Sequence, residues 1–155
     1  MTVKGTTKPL GERITPGYNM DEETREICLF YVDRALRLAE KRYAKISAME
    51  APDDRVLSPM YASILNQLIY LHRVVTGEEK DIYRIDTFTM GAYAVREFED
   101  SDPLFADRIR SAFYIADQIR VSKKKISFPD DPIDNPGHWD RQAKLKAEFP
   151  EEYDL

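Results

Sequence analysis

Hydrophobic residues recur at helical spacing in four stretches of the chain, and no stretch shows the alternation of a strand over any length. The first stretch has no glycine or proline between Met20 and Ala51. We therefore predict a helix over about residues 21 to 49, capped by Asn19 or Asp21. Its expected inward positions are Ile27, Phe30 or Tyr31, Ala35, Leu38, Tyr43 and Ile46, broadened by Cys28, Val32, Leu36 and Ala39.

Proline and glycine mark the bounds of the second and fourth helices. Ser58 and Pro59 predict a helix start, and Gly77 predicts its end. Asp102 and Pro103 repeat the start signal for a helix that we expect to run to about residue 123. The expected inward residues of these two helices are Tyr61, Ile64, Leu65, Leu68, Ile69, Leu71, His72 and Val75, and Leu104, Phe105, Ile109, Ala112, Phe113, Ala116 and Ile119.

A third helix is predicted over about residues 82 to 99, with an irregular first turn. Gly91 lies inside it, where a glycine is about 1 kcal/mol less favourable than alanine. We expect close approach of another helix to be the reason for that glycine. The expected apolar face consists of Ile85, Phe88, Ala92, Val95 and Phe98.

Four amphipathic helices with short connections predict an all-α fold, a small antiparallel bundle over residues 19–125. Residues 1–18 are expected to form an extended arm, and residues 126–155 a Pro-rich C-terminal extension of the same domain. Asp140 to Phe149 predicts one short helix there. We favour an extension that packs on the bundle through Phe128, Ile133 and Trp139, with a clamp over a partner as the alternative.

Composition restricts the classes of function. The 155 residues carry a net charge of −5, which argues against nucleic acid as a main partner and is compatible with a basic protein partner. The single cysteine allows no internal disulfide. The first residues lack the apolar core of a signal peptide, and no run reaches the length of a membrane span, so we expect the cytosol.

Residues for metal or covalent chemistry are sparse. His72 and His138 are far apart and have no partner at metal-ligand spacing, so His72 is expected to be a core or boundary residue. Cys28 is expected to be buried rather than nucleophilic. No phosphate-binding glycine loop is present. We predict no cofactor, no metal and no catalysis.

An acidic cluster between the third and fourth helices, YAVREFEDSDPLF, contains Glu97, Glu99, Asp100 and Asp102. A carboxylate pair for acid–base chemistry would need partial burial to shift the pKa values. A helix cap followed by a polar turn is the interpretation that we favour, and it leaves a contact surface for a partner open.

Nine tyrosines are a high count for this length. Tyrosine is common at interfaces, and it is also common at the boundary of helical cores, which is the favoured interpretation of any single one. Together with the acids, the tyrosines favour a binding surface. The tyrosines concerned are Tyr31, Tyr61, Tyr70, Tyr83, Tyr93 and Tyr114.

Three blocks of the sequence resemble the small all-helical immunity proteins of bacterial type VI secretion, in particular the immunity proteins to NAD(P)+ glycohydrolase effectors. The blocks are YVDRALRLAEKR, LNQLIYLHRVV and MGAYAVREFEDSDPLFADRIRSAFYIA, and the resemblance covers roughly residues 27–125. The matching positions are Tyr31, Asp33, Arg34, Ala35 and Leu36; Gln67, Leu68 and Tyr70; Gly91, Ala94, Val95, Arg96, Glu97 and Phe98; Asp102 and Pro103; and Tyr114.

The resemblance implies a non-catalytic protein that binds a cognate toxin domain in the cytosol and covers its active site. Carboxylates on a rigid scaffold suit the cationic cleft in which such an enzyme binds dinucleotide phosphates. The chain departs from the family pattern in the longer connection from Ala51 to Leu57 and in the segment after Lys125, so a toxin of other NAD+ chemistry, such as ADP-ribosyl transfer, stays open. The candidate partner-binding residues are Arg96, Glu97, Glu99, Asp100, Tyr93 and Tyr114.

Two other classes of function are weighed against immunity. A non-catalytic helical adaptor or dimerisation module would lack an upstream reading frame that encodes an effector with a C-terminal toxin domain. An enzyme that uses the acidic turn with a bound cation would show metal-dependent activity, and the sequence supports it least. The oligomeric state stays open.

Overall fold

The structure, a computed structural model, describes residues 19–49 and 57–155. The predicted N-terminal arm and most of the connection from Ala51 to Leu57 lie outside those residues. The described part contains helices and turns and no strand, which confirms the predicted all-α class. The helices are α1 (Glu22–Met49), α2 (Ser58–Thr76), α3 (Met90–Tyr93), α4 (Pro103–Arg120) and α5 (His138–Glu148); a 3-10 turn (Tyr83–Thr87) precedes α3 and a π turn (Ala94–Phe98) follows it.

Helix α1 has nearly the predicted bounds, and Asp21 is its cap, with Oδ1 accepting a hydrogen bond from the Thr24 N–H at 2.7 Å. Its buried stripe differs in part from the prediction. Ile27 and Phe30 are exposed, whereas Tyr31 is half-buried. The i, i+3 and i+4 steps of the buried stripe leave Ile27 and Phe30 outside the packed face. That stripe consists of Cys28, Val32, Ala35, Leu38 and Ala39.

Helix α2 begins and ends as predicted, although Leu57 rather than Ser58 occupies the N-cap position. Gly77 adopts φ +88°, a left-handed conformation that glycine accepts without strain, and its N–H donates to the Val74 carbonyl at 3.1 Å. Ile69, predicted to face inward, is exposed because its neighbours Leu68 and Leu71 point to the core.

Helix α1 runs antiparallel to α2 and α4. Near the start of α1, Arg25 Nε donates to the Val75 carbonyl at 2.9 Å, close to the end of α2. Further along α1, Asp33 Oδ1 lies 3.2 Å from Nε2 of His72, which precedes Val75 in α2. At the other end of α1, Arg42 bonds Asp102, at the start of α4. These pairs confirm the predicted antiparallel arrangement.

The predicted third helix is broken. Phe88 has extended backbone (φ −65°, ψ 131°), and α3 starts anew at Met90 because Gln67 Oε1 accepts the N–H groups of Thr89 and Met90, both at 2.9 Å. The cap therefore comes from α2, a distant part of the sequence. Local sequence signals for helix starts do not reveal such a cap.

The π turn changes which side chains face the core. Met90, Ala94 and Phe98 are buried, whereas Ala92 and Val95, predicted to be inward, are exposed, Val95 by 53%. The wider π turn shifts the inward positions to steps of four residues along this segment. The prediction of Val95 as a core residue is therefore wrong, and its side chain belongs to the surface of the acidic cluster.

Gly91 lies where α3 meets α4. A Cβ built on Gly91 would lie 2.9 Å from Cδ2 of Phe113 and 3.1 Å from its Cγ. The absence of a side chain therefore lets the aromatic ring rest directly on the backbone of α3. This confirms the expected close approach of another helix.

Helix α4 ends at Arg120, three residues before the predicted position. Ser122 takes a positive φ of 55°, and the N–H groups of Ser122 and Lys123 donate to the carbonyls of Ile119 and Gln118 at 2.9 and 3.0 Å. This is a Schellman arrangement, which usually uses glycine. Because a serine, Ser122, adopts the left-handed conformation here, no glycine marks the end of α4 in the sequence.

The C-terminal extension packs on the bundle as predicted, but through only one of the three predicted residues, Phe128. Ile133 is 88% exposed and Trp139 is 66% exposed, so the prediction for these two was wrong; Phe128 is half-buried. Ile126 and Leu145 bury apolar surface instead. The predicted short helix is confirmed as α5, which begins two residues early and ends one residue early.

Three arginines hold the last turn of the chain against the bundle, and we call Arg34, Arg42 and Arg108 the arginine clasp. Arg42 donates through Nη1 to Glu152 Oε2 and through Nε to Asp102 Oδ2, both at 2.7 Å. The charged hydrogen bonds from Arg42 lower the pKa of Glu152 to about 2. One guanidinium thus ties α1 to both the start of α4 and the last turn.

The other two arginines of the clasp converge on Tyr153. Arg34 and Arg108 donate through Nη2 to its carbonyl oxygen, at 2.7 and 2.9 Å. Their guanidinium carbons lie 5.0 and 4.7 Å from the centre of its ring, a cation–π geometry. Arg108 is 4% exposed, and Asp107 balances its charge at 2.9 Å.

Candidate functional site

The acidic turn follows directly from the π turn at the end of α3. Glu97, Glu99 and Asp100 are all exposed there. The backbone is closed by the Asp102 N–H, which donates to the Phe98 carbonyl at 2.9 Å, and the Ser101 hydroxyl donates to the Glu97 carbonyl at 2.8 Å. The acids therefore stand on a backbone fixed at both ends rather than on a long loop.

The four acids of the cluster have different contacts. Asp102 caps α4 by accepting the Phe105 N–H at 3.3 Å and also bonds Arg42, so the predicted cap is confirmed. Glu99 forms an ion pair with Arg110 of α4, a contact that sequence spacing did not indicate. The side chains of Glu97 and Asp100 have no hydrogen bond or ion pair within residues 19–49 and 57–155.

Two more candidates, Arg96 and Tyr93, lie on the same segment. The guanidinium carbon of Arg96 is 5.7 Å from the centre of the Tyr93 ring, and Arg96 is exposed while Tyr93 is half-buried. The exposed Val95 stands between them in the chain. The segment therefore offers an apolar side chain, a cation and carboxylates within a few residues.

Tyr114 lies apart from this segment, on α4. Its hydroxyl donates to Asp134 Oδ2 of the C-terminal extension at 2.7 Å. Desolvation and this carboxylate raise the pKa of Tyr114. Arg110, one helical turn earlier, lies between the acidic turn and Tyr114. It forms the ion pair with Glu99, and together with Tyr114 it lines a cavity of about 250 Å³ between α4 and the extension.

The residues with potential for other chemistry are engaged or buried. Cys28 is fully buried, as predicted, and burial raises the pKa of its thiol to about 12, so a reactive thiolate is not available at neutral pH. His72 is half-buried beside Asp33, which fits the expected boundary position. Among the described residues, no three His, Cys, Asp or Glu side chains are grouped as a metal site requires.

Sequence reasoning missed two features of the surface. The exposure of Val95 depends on the π turn, which no sequence pattern predicted. The exposure of Phe30 and Trp139, at 53% and 66%, places two large aromatic side chains on the surface near the arginine clasp. None of the helices within residues 19–49 and 57–155 is long and apolar enough to cross a membrane.

Comparison with known proteins identifies the family. No solved structure matches the chain. A curated relative, "Immune protein Tsi6" of Pseudomonas aeruginosa, is 29% identical over 100 residues, which are 64% of this chain and 95% of the relative. The family model described as Tsi6 matches residues 28–118, from α1 almost to the end of α4, and leaves α5 and the last turn outside. The chain therefore belongs to the Tsi6 family, which confirms the immunity-protein resemblance of its sequence.

Proposed function

We propose that this chain is an immunity protein, which binds a secreted toxin domain in the cytosol of the cell that makes both and blocks the toxin's active site. Family membership supports the class of function. The observation that carries the choice of surface is the acidic turn, where Glu97 and Asp100 are exposed beside the exposed Val95 and have no ion pair or hydrogen bond with the residues that the structure describes. All three residues lie within the family match.

The proposed target is an enzyme that consumes NAD(P)+ or otherwise uses NAD+. A dinucleotide site commonly presents cations to the phosphates, and carboxylates on a fixed backbone form strong, charge-assisted hydrogen bonds with such cations. The acidic turn meets this requirement because its backbone is held by the Phe98 and Glu97 carbonyls. Tyr93 and Val95 supply apolar area next to the charges.

Binding through this turn requires little rearrangement of the immunity protein. Glu97 and Asp100 carry no ion pair that must be broken first within the described residues, and the exposed Glu99–Arg110 pair is worth at most about 1 kcal/mol. The net charge of −5 also favours rapid encounter with a basic cleft. The protein acts by occupying the site and performs no chemistry itself.

The test is neutralisation of the toxin domain encoded by the reading frame upstream of this chain's own. NAD+ is measured in cells that express that domain with the full chain or with a variant in which Glu97, Glu99 and Asp100 are changed to Lys. We expect the parent to preserve NAD+ and the variant to lose protection. A control with Glu26→Lys and Glu40→Lys, two exposed acids of α1, should protect like the parent.

Three outcomes contradict parts of the proposal. Full protection by the variant with three lysines removes the acidic turn from the binding surface. Toxicity without loss of NAD+, suppressed by the parent, keeps immunity and removes the NAD+ chemistry. An upstream frame without a toxin domain, together with a stable dimer of the chain, favours an adaptor or dimerisation module.

A further inference from the structure

A groove of about 260 Å³ lies between α1 and the C-terminal extension, away from the acidic turn in sequence. Phe30 and Arg34 of α1 line one side, and His138 and Trp139 of α5 line the other. The first pair belongs to the part of the chain that the family model matches, and the second pair lies beyond it. The groove thus exists because this chain carries an extension.

The groove exposes the side chains that dominate binding energy at protein interfaces. Phe30 is 53% and Trp139 66% exposed, an unusual position for large aromatic side chains in a monomeric bundle. The Arg34 guanidinium carbon lies 5.0 Å from the centre of the Phe30 ring, so the cation is already held in place. Tryptophan and arginine are enriched among interface residues with large energetic effects.

His138 supplies a second, independent indication. The side chain is 4% exposed, and its ring meets that of Trp139 edge to face at 4.7 Å. Nδ1 of His138 is buried without a hydrogen-bond partner in the part of the chain that the structure describes. A buried polar atom without a partner is rare in folded proteins, and His138 is one of the residues that line the groove.

Size and charge indicate the occupant. A volume of about 260 Å³ is smaller than the sites that enclose drug-sized molecules, so it suits one or two side chains of a protein segment better than a dinucleotide. Arg34 and Arg37 line it together with one carboxylate side chain, Asp154. Each guanidinium donates one hydrogen bond to a backbone oxygen of the last turn, of Tyr153 at 2.7 Å and of Leu155 at 3.3 Å, and has further N–H groups for an anionic partner.

We infer that this groove is a second docking site for the cognate toxin, which receives a segment with an apolar side chain next to a carboxylate. The inference rests on the proposed function and adds a contact outside the family-matched region. The apolar side chain would pack on Trp139 and Phe30, and the carboxylate would accept hydrogen bonds from Arg37 and Arg34. The extension would then contribute to the choice of toxin.

The tryptophan gives a direct spectroscopic test, since Trp139 is the one tryptophan of the whole chain. The full chain is labelled with 5-fluorotryptophan, and its single fluorine resonance is followed as the unlabelled toxin domain is added. We expect the resonance to shift and its H2O/D2O isotope effect to fall on saturation. An unchanged resonance in a complex shown by calorimetry to be formed would overturn the inference.

Affinity of variants provides the second test. Trp139→Ala and Arg37→Glu should each weaken binding of the toxin domain by about 10-fold or more, as for energetically important interface residues. Matched controls are Ile133→Ala, an exposed apolar residue of the same extension, and Lys80→Glu, an exposed cation after α2. Both controls should bind within about 2-fold of the parent.

The outcomes separate this inference from the proposed function. If the parent neutralises the toxin while Trp139→Ala and Arg37→Glu bind like the parent, the groove is not a docking site and the proposed function stands. If the parent neither binds nor neutralises the toxin domain, both fall. If sedimentation shows a dimer of the parent that Trp139→Ala disrupts, the groove belongs to a second copy of the chain, which also overturns the inference.

Discussion

The acidic turn and the arginine clasp are both rich in charge, and they use it in opposite ways. In the turn, Glu97 and Asp100 are exposed, and the ion pair between Glu99 and Arg110 has side chains that are 51% and 41% exposed. In the clasp, Arg42 and Glu152 are only 12% and 18% exposed and are joined at 2.7 Å. Only the second set of charges is largely shielded from water.

This difference separates residues that hold the fold from residues that are available to a partner. An exposed ion pair contributes up to about 1 kcal/mol to the free energy of unfolding. Removing one member of a buried pair leaves the other charge without a partner and lowers that free energy by several kcal/mol. Arg42 and Arg108, the two arginines of the clasp that do not line the groove between α1 and the extension, should therefore govern stability and leave binding unchanged. The acidic turn should govern binding and leave stability unchanged.

The largest expected effect comes from Arg42→Met. It leaves the carboxylate of Asp102 without its guanidinium and leaves Glu152 with Lys41 alone, at 2.8 Å, so it should lower the free energy of unfolding by about 3 kcal/mol. Arg110→Met, which breaks the exposed pair with Glu99, should lower it by less than about 1 kcal/mol. Urea unfolding followed by circular dichroism measures both. Equal losses in the two variants would remove the distinction between the regions.

The second-largest expected loss of stability comes from acid, which protonates Glu152 in the arginine clasp. The pKa of Glu152 is lowered in the folded state from 4.5 to about 2, so its contribution to stability is present above pH 4.5 and is lost as the pH falls towards 2. We expect a loss of about 2 to 3 kcal/mol over this range relative to Glu152→Gln, which lacks the titrating group. If the unfolding free energies of the parent and of Glu152→Gln fall in parallel with pH, the acid loss does not come from Glu152.

The smallest expected effect on stability comes from the turn itself. Glu97→Gln combined with Asp100→Asn removes two exposed charges that have no ion pair within the described residues, so the free energy of unfolding should change by less than about 0.5 kcal/mol. Thermal and urea unfolding of the double variant measure this. A loss above 1 kcal/mol would mean that these acids have a structural role.

The parts of the fold that the sequence predicted correctly depend on neighbouring residues. Pro59, Gly77, and the pair Asp102 and Pro103 act within one turn of the helix end that they mark, so a local pattern suffices. Ser122 shows the limit of such patterns, because a left-handed serine ends α4 where no glycine signals it.

The errors concern contacts between distant residues. Arg34 and Tyr153 are 119 positions apart, and Arg108 and Tyr153 are 45 apart, so no periodicity could pair them. Because these pairs and buried Leu145 dock the extension, Trp139 and Ile133 are left on the surface. Val95 is on the surface because a π turn, initiated after a cap from Gln67 of α2, rotates the segment.

The same limit applies to the candidate site. The cap function of Asp102 followed from the Asp-Pro signal, whereas the ion pair of Glu99 with Arg110 depends on how α3 meets α4. Tyr114 was grouped with the acids because of its residue type, and its contact with Asp134 required the position of the extension. Residue type and order indicated a surface, and tertiary structure determined which of its side chains pair with one another within the described residues.

Site-specific cross-linking tests whether the acidic turn occupies the toxin's active site. Cys28 is fully buried, so a cysteine at position 97 or at the control position 40 can be labelled selectively with a photoreactive maleimide. After illumination with the toxin domain, we predict that Glu97→Cys cross-links to residues lining the toxin's catalytic cleft and that Glu40→Cys gives no cross-link there. Cross-links from position 97 to another surface of a toxin that is nevertheless inhibited would contradict the account.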